Sequence, residues 1–165
     1  MKIIENCALG KDELSLCLGE ECDANLLALC EKECFPTDAW SEKMFAQNLK
    51  NPSCRVYILY NIQLTKIIAF GVIYVCVDEA DLANIAVIPE CRRGGTGRSL
   101  LDRMMRDARE MGVLRTFLEV RESNIPARAL YSSYGFAEIG IRRNYYKDPR
   151  ENAVLMVLNS ETAPQ

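Results

Sequence analysis

The chain has 165 residues, 49% of them hydrophobic and 26% charged, with a formal net charge of −3; this composition excludes a disordered chain and suits one globular domain. No apolar run reaches the roughly 20 residues that a membrane-crossing helix needs, and the opening MKIIENCALGKDEL has no apolar signal region, so a cytoplasmic protein is expected. Residues 1–40 hold nine acidic and three basic side chains, which leaves +3 on the remainder; that excludes a basic nucleic-acid surface and leaves a solvated acidic face or one that attracts a cationic substrate.

In chain order, LSLCL (14–18) reads as a short strand. ECDANLLALCEKEC then sets Leu26, Leu27, Cys30 and Cys34 at helical spacing, with Asp23 as a cap. FPTDAWSEKMFAQNL breaks at Pro36 and restarts as a short helix near Ser41. CRVYILY and KIIAFGVIYVCV are β-rich runs around a polar turn near Asn61, which predicts a hairpin. After DEAD, the apolar strand LANIAV (82–87) is stopped by Pro89. The next helix is predicted from about Gly97 to Met111. Leu100, Leu101, Met104, Met105, Ala108 and Met111 form its apolar stripe, Arg98, Asp102, Arg106 and Arg109 face out, and Gly112 caps it. TFLEV is a strand, and IPARALYSSY a helix with Pro126 in its first turn and Gly135 at its close. FAEIGIRR and NAVLMVL pair antiparallel across KDPREN, and the terminal SETAPQ (160–165) frays. Hairpins followed by a β–α–β–α–β alternation predict a mixed α/β sheet covered by helices, in a single domain over residues 1–165.

Eight cysteines (Cys7, Cys17, Cys22, Cys30, Cys34, Cys54, Cys76 and Cys91) occur without a CxxC pair and without any histidine. They read as small core residues in a reducing compartment rather than as zinc ligands; Cys30 and Cys34 share a helical face with Leu27, and Cys76 lies in a β run.

The stretch that points to chemistry is IPECRRGGTGRSLL (88–101). A strand, a glycine-rich turn and a helix N-terminus together make an anion site: first-turn amides point outward and the helix dipole adds about half a positive charge. Gly94, Gly95 and Gly97 let the backbone approach a phosphate, and Arg92, Arg93 and Arg98 add charge around it. The absence of Gly-Lys-Ser/Thr excludes a Walker loop. A dinucleotide fingerprint finds Gly95, Gly97 and a downstream acid in Glu119, but Leu100 stands at its third glycine and the feeding strand comes midway along the chain.

Read from Arg92, RRGGTG is R-x-x-G-x-G, which resembles the acetyl-CoA pyrophosphate loop of the GCN5-related N-acetyltransferases. The resemblance extends through LANIAV, LEVRESNIPARALYSSYGF (118–136), IRRNYY (141–146) and CFPTDAWSEKMF, and covers residues 14–158. Within the family it is similar to the ribosomal-protein alanine N-acetyltransferase branch, which acetylates the N-terminal amine of a small-subunit ribosomal protein. The resemblance implies an α/β fold with a mixed, mostly antiparallel sheet of about seven strands. A central parallel pair, LANIAV and TFLEV, splays apart, and helices cover both faces. It implies acetyl-CoA as cofactor, held at its diphosphate by Arg92, Arg93, Gly94, Gly95, Thr96, Gly97, Arg98 and Ser99. The backbone of Ile85, Ala86 and Val87 would bind the thioester and the pantetheine amide, and Asn124 and Tyr131 the pantetheine arm. It implies Glu119 as general base, Tyr131 as general acid, no metal, and an acceptor groove flanked by Phe35, Trp40, Tyr145 and Tyr146. One departure stands out: FPTDAWSE carries extra residues where the branch has FPWSE, which alters the rim of that groove.

The residues allow a reading of their own beside this. Glu119 is one acid among β formers, where burial would push its pKa towards neutrality and suit it to accept a proton; the alternative is an outward acid paired with Arg115 or Arg121. Tyr131, with a reference pKa of about 10, keeps its proton at neutral pH, or else it packs its helix beside Tyr134. Asn124 would cap the same helix. Cys91 adjoins the loop but has no histidine to activate it, so direct attack by the amine is favoured over an acyl-cysteine. An α-amine, with a reference pKa of about 7.7–8.0 against about 10.4 for lysine, needs only a modest base. The resemblance makes a protein N-terminus, that of a small-subunit ribosomal protein, the expected partner, with no nucleic acid or membrane and a monomer favoured. A small amine (polyamine or aminoglycoside), another protein terminus, or a CoA-binding module without turnover are the alternatives.

Overall fold

A computed structural model of the chain describes residues 2–9, 12–63 and 65–160 and places eight strands, among the described residues, in one sheet. The elements are β1 (Lys2–Leu9), β2 (Asp12–Leu18), α1 (Ala24–Cys34), α2 (Glu42–Lys50), β3 (Cys54–Asn61), β4 (Lys66–Cys76), β5 (Glu79–Val87), α3 (Thr96–Glu110), β6 (Arg115–Arg121), α4 (Ile125–Tyr134), β7 (Ala137–Lys147) and β8 (Arg150–Asn159). Their order across the sheet is β1-β2-β3-β4-β5-β6-β8-β7. Every neighbouring pair is antiparallel except β5 and β6. The expected mixed, mostly antiparallel α/β sheet is present, with β1 as an additional strand.

β4 carries the evidence for two covered faces. Phe70 meets Phe45 of α2 edge-on at 5.4 Å between ring centroids. A Cβ built on its neighbour Gly71 would lie 2.3 Å from Met104 Sδ of α3. Successive strand residues point to opposite faces, so α2 and α3 cover opposite sides of the sheet. The absent side chain at Gly71 is what lets α3 settle onto β4. The core between these layers includes Leu27, Phe45, Tyr57, Phe70, Leu101 and Met104, each fully buried.

The parallel pair is short. Glu79–Leu82 run beside Arg115–Leu118 and the ladder stops there. β5 stays bonded to β4 as far as Val87, and β6 to β8 as far as Arg121. The two strands thus part in the direction of their C-termini, as expected of LANIAV and TFLEV. At the closed end the Asp78 carbonyl accepts from the amides of Leu114 (2.7 Å) and Arg115 (3.2 Å).

Helix ends follow local chemistry. Ser41 caps α2 by accepting from the Met44 amide at 3.3 Å. Gly112 (φ +88°) and Gly135 (φ +114°) close α3 and α4 in the left-handed conformation that glycine adopts without strain.

Several expectations need correction. Asp23 does not cap α1 with its side chain; its carboxylate accepts from the Glu20 amide at 2.8 Å in the turn before the helix. Leu26 is exposed, and α1 turns Leu27 and Cys30 to the core instead. Cys76 is exposed at the β4 hairpin end, as is Cys22, so not every cysteine is a core residue. The side chain of Cys7 lies outside the described residues. DEAD is mostly strand, because β5 begins at Glu79 after a two-residue turn. Ser160 is tied down, donating its amide to the Leu114 carbonyl at 2.8 Å, while residues 161–165 lie outside the described residues. No helix among the described residues is long and apolar enough to cross a membrane.

Candidate active site

β5 leads into a loop whose backbone is set by two left-handed residues, Arg93 (φ +66°) and Gly95 (φ +87°). Gly95 is the residue before α3 and offers no side chain to cap it. The first amides of α3 therefore have no intrahelical acceptor and face outward with the positive end of the helix dipole. A Cβ placed on Gly94 or Gly95 would meet nothing within 4 Å. The loop is an open set of outward amides whose partial positive charge suits a phosphate group.

Its side chains are used less uniformly than expected. The Thr96 hydroxyl is turned inward, donating to the Cys91 carbonyl at 2.9 Å, and the residue is buried; only its amide is available to a ligand. Arg92 Nε donates to the Val87 carbonyl at 2.8 Å, folding the guanidinium back along the end of β5. Arg98 does not surround the cradle. It pairs with Asp102 at 3.2 Å, donates to Ser133 Oγ at 3.3 Å and lies over the Tyr134 ring at 4.7 Å, which draws it to α4. Arg93, Gly94, Gly95 and Ser99 remain exposed at the mouth, with Gly97 partly so. Gly97 packs near Val87 Cγ2 and Leu130 Cδ2, each 3.5–3.6 Å from where its Cβ would stand. Ile85 and Val87 are partly exposed along the parted edge of β5, and Ala86 is buried.

Across the gap, Glu119 of β6 is not the isolated buried acid of the sequence reading. Its side chain is 25% exposed and Oε1 meets Arg142 Nη1 at 2.6 Å. The alternative partners are engaged elsewhere: Arg115 with Glu79 at 2.6 Å, and Arg121 with Asp38 at 2.8 Å and Glu151 at 3.3 Å. Tyr145 also bonds to Glu119, and this bond, ahead of burial, raises its phenol pKa. Arg142 and Tyr145 reach one carboxylate because the pairing of β7 with β8 slips between Arg142 and Tyr146, where Asn144 adopts φ +53°. Asp81, on the neighbouring strand, has its pKa raised by desolvation and then by the Glu119 charge.

Tyr131 projects from α4 and is 8% exposed, packed edge-on to Phe136 at 5.7 Å. Burial raises its phenol pKa further above the ordinary value, so the proton stays in place at neutral pH. Tyr146 lies within electrostatic reach of both Tyr131 and Glu119. Its own phenol is pushed up to about 12, chiefly by burial, and Arg121 sits 4.0 Å over its ring. Tyr134 is only half-buried, 6.3 Å from Phe136, so Tyr131 itself is the side chain that packs α4 into the core. Asn124 caps α4, its Oδ1 accepting from the Ala127 amide at 3.2 Å. Phe35 and Trp40 are half-buried in the segment between α1 and α2. The Trp40 ring rests on Phe45 at 5.6 Å, and its amide donates to Glu31 at 3.2 Å.

The structure thus gathers Glu119, Tyr145 and Tyr146 with Tyr131 near them, at a strand gap that runs towards the amide cradle. Arg142, Asp81 and the buried Glu31 are the neighbours that sequence reasoning did not single out. Among the described residues no cluster of three or more His, Cys, Asp or Glu side chains could hold a metal. A carboxylate to take a proton, a phenol to give one, and a phosphate cradle at the end of β5 suit transfer of a group from a phosphate-bearing carrier to an amine.

Comparison with known proteins gives the same picture. The sequence profile of the acetyltransferase (GNAT) family matches residues 24–136. The chain is 48% identical over 124 residues to the [ribosomal protein bS18]-alanine N-acetyltransferase of Escherichia coli K12, covering 72% of this chain and 80% of that protein. The crystal structure of the ribosomal-protein-S18-alanine N-acetyltransferase from Escherichia coli superposes with a TM-score of 0.83 at 38% identity, covering 92% of this chain and 97% of the other. A GNAT family acetyltransferase from Elizabethkingia anophelis, solved with acetyl-CoA bound, shares the fold at 22% identity and a TM-score of 0.71, over 91% of this chain and all of that one.

Proposed function

The chain belongs to the GNAT acetyltransferase family, and from that membership we propose which of its residues perform the reaction and on what acceptor. It is an acetyl-CoA-dependent N-acetyltransferase that acts on a protein. The acceptor is the N-terminal alanine of ribosomal protein bS18, the group named for the 48%-identical enzyme.

The amides from Gly94 to Ser99 hold the diphosphate, with Arg93 as the adjacent charge, and the free edge of β5 at Ile85–Val87 holds the pantetheine arm. Bound there, acetyl-CoA supplies an acetyl group activated as a thioester. Glu119 accepts the proton that the α-amine must lose, directly or through water. Since an α-amine has a reference pKa of about 7.7–8.0, the carboxylate takes the proton of a group already partly neutral at pH 7. Tyr131 holds its proton against ionisation and gives it to the departing sulfur. Arg142 and Tyr145 orient the Glu119 carboxylate from its other side. Cys91 has no place in this scheme: the chain has no histidine to activate its thiol, and the amine attacks the thioester directly.

The observation that carries this reading is the parting of β5 from β6 beside the amide cradle, with Glu119 on its wall. An acetyl-transfer assay with short peptides of varied first residue, run beside polyamines, tests it. Peptides beginning with alanine should be acetylated fastest. Preference for a polyamine would move the acceptor to the small amines.

A further inference from the structure

The residues by which this chain exceeds the FPW pattern do not hang free. Asp38 Oδ2 accepts from Arg121 Nη2 at 2.8 Å, and Arg121 lies two positions beyond Glu119 on β6, on the same face. Arg121 is itself fixed by the β7–β8 turn, donating to the carbonyls of Asp148 (3.1 Å) and Pro149 (3.2 Å). The other end of the segment is held from β5. The Trp40 amide donates to Glu31 Oε1 at 3.2 Å, and Asn84 Nδ2 of β5 donates to both oxygens of the same carboxylate at 3.2 Å. Glu31 is 1% exposed. A carboxylate removed from water to that degree persists because three contacts satisfy it.

The segment Phe35–Trp40 is therefore linked to both strands at the level where they have lost their own ladder. We propose that it is a strap across the parted strands, with Glu31 and Asp38 as positioning residues that set the width of the acceptor groove and so the approach of the terminal amine to Glu119. This rests on the reading of Glu119 as the base. Glu31 and Asp38 touch neither reacting group; they act through the wall they hold.

Asp38 is exposed, with 59% of its side chain accessible, so Asp38→Ala should fold normally and isolate the strap from general stability. With an alanine-terminated peptide, this variant should raise the peptide KM about fivefold, a factor within reach of one ion pair, and leave the acetyl-CoA KM within about twofold. Glu31→Gln should act in the same direction. Trp40 is the sole tryptophan, so its emission and the hydrogen exchange of its amide report on the strap without turnover. Both should change in Asp38→Ala, the amide exchanging about tenfold faster. An unchanged peptide KM, or one that rises in parallel with that for acetyl-CoA, overturns the strap. If the wild-type chain acetylates no peptide, the proposed acceptor falls. The strap is then decided by exchange: faster Trp40 exchange in Asp38→Ala sustains it, and unchanged exchange overturns it.

Discussion

At the scale of single residues, chemistry and stability diverge. Glu119→Gln keeps the shape of the side chain and removes the proposed proton acceptor, so kcat/KM should fall by about 10²–10⁴ while acetyl-CoA binds as before; stopped-assay kinetics with calorimetry check both. Tyr131→Phe should lower kcat with little change in acetyl-CoA affinity, and normal turnover would pass the acid role to another group. Glu31 behaves differently. Burial, set against the donors Trp40 and Asn84, raises its pKa from the ordinary 4.5 to about 7, and the Asp38 charge adds to the rise. Cys30 and Cys34 flank it on the same helix, with Arg92 beyond Cys34. Because the unfolded chain ionises at lower pH than the fold does, stability is lost as pH climbs from about 4.5 to about 7. Thermal melts should show the wild type losing ground to Glu31→Gln across that window, by at most about 3 kcal/mol. A constant difference would mean that the carboxyl ionises normally. None of this was legible in the sequence, where Glu31 looks like one more acid on an acidic helix.

At the scale of elements, α3 offers an internal control. Gly95 and Gly112 stand at its two ends with nearly equal φ, +87° and +88°, and open space around both. Alanine at either position is forced into the left-handed region and should cost about 1–2 kcal/mol. Only Gly95→Ala should also weaken acetyl-CoA binding, because only that end carries the amide cradle; equal affinities by titration would remove the cradle from the site. Helix ends of this kind were readable, since proline, glycine and serine act through local backbone chemistry at Pro126, Gly112, Gly135 and Ser41. β1 was not: KIIENCAL lacks alternation, and Ile3 is 62% exposed on the outermost strand. The choice of Leu26 as a core residue failed because helical spacing admits more than one stripe, and tertiary packing selected the one with Leu27 and Cys30. The Glu119–Arg142 pair was hidden for a related reason. A strand slip near Asn144 brings the arginine over, and such a slip exists only once β7 has met β8.

At the scale of the whole molecule, the acidity of residues 1–40 is mostly spent internally. Glu5, Glu21, Glu33 and Asp38 pair with Arg103, Lys50, Lys66 and Arg121 at 2.8–3.3 Å, and Asp23 and Glu31 are buried. Of the two readings of that acidity, a solvated face or one that draws in cations, these largely exposed ion pairs suit the first. Binding should also be felt globally. Acetyl-CoA at about a hundred times its Kd adds about 2.7 kcal/mol to the folded state, enough to raise the melting temperature by roughly 5–11 °C in a chain of this size. A melting curve indifferent to acetyl-CoA would contradict the assignment of the loop from Gly94 to Ser99. The Asp78 carbonyl, gripped by two amides where β5 and β6 begin, gives the pair the form of tongs riveted at one end. From Asp78 to Val87 the β5 jaw is about 30 Å long, so a swing of about 3° at the rivet moves its tip by about 1.6 Å. Misplacement on that order can slow a reaction a hundredfold, which makes a quiet hairpin turn, remote from any reacting atom, a fulcrum for the whole enzyme.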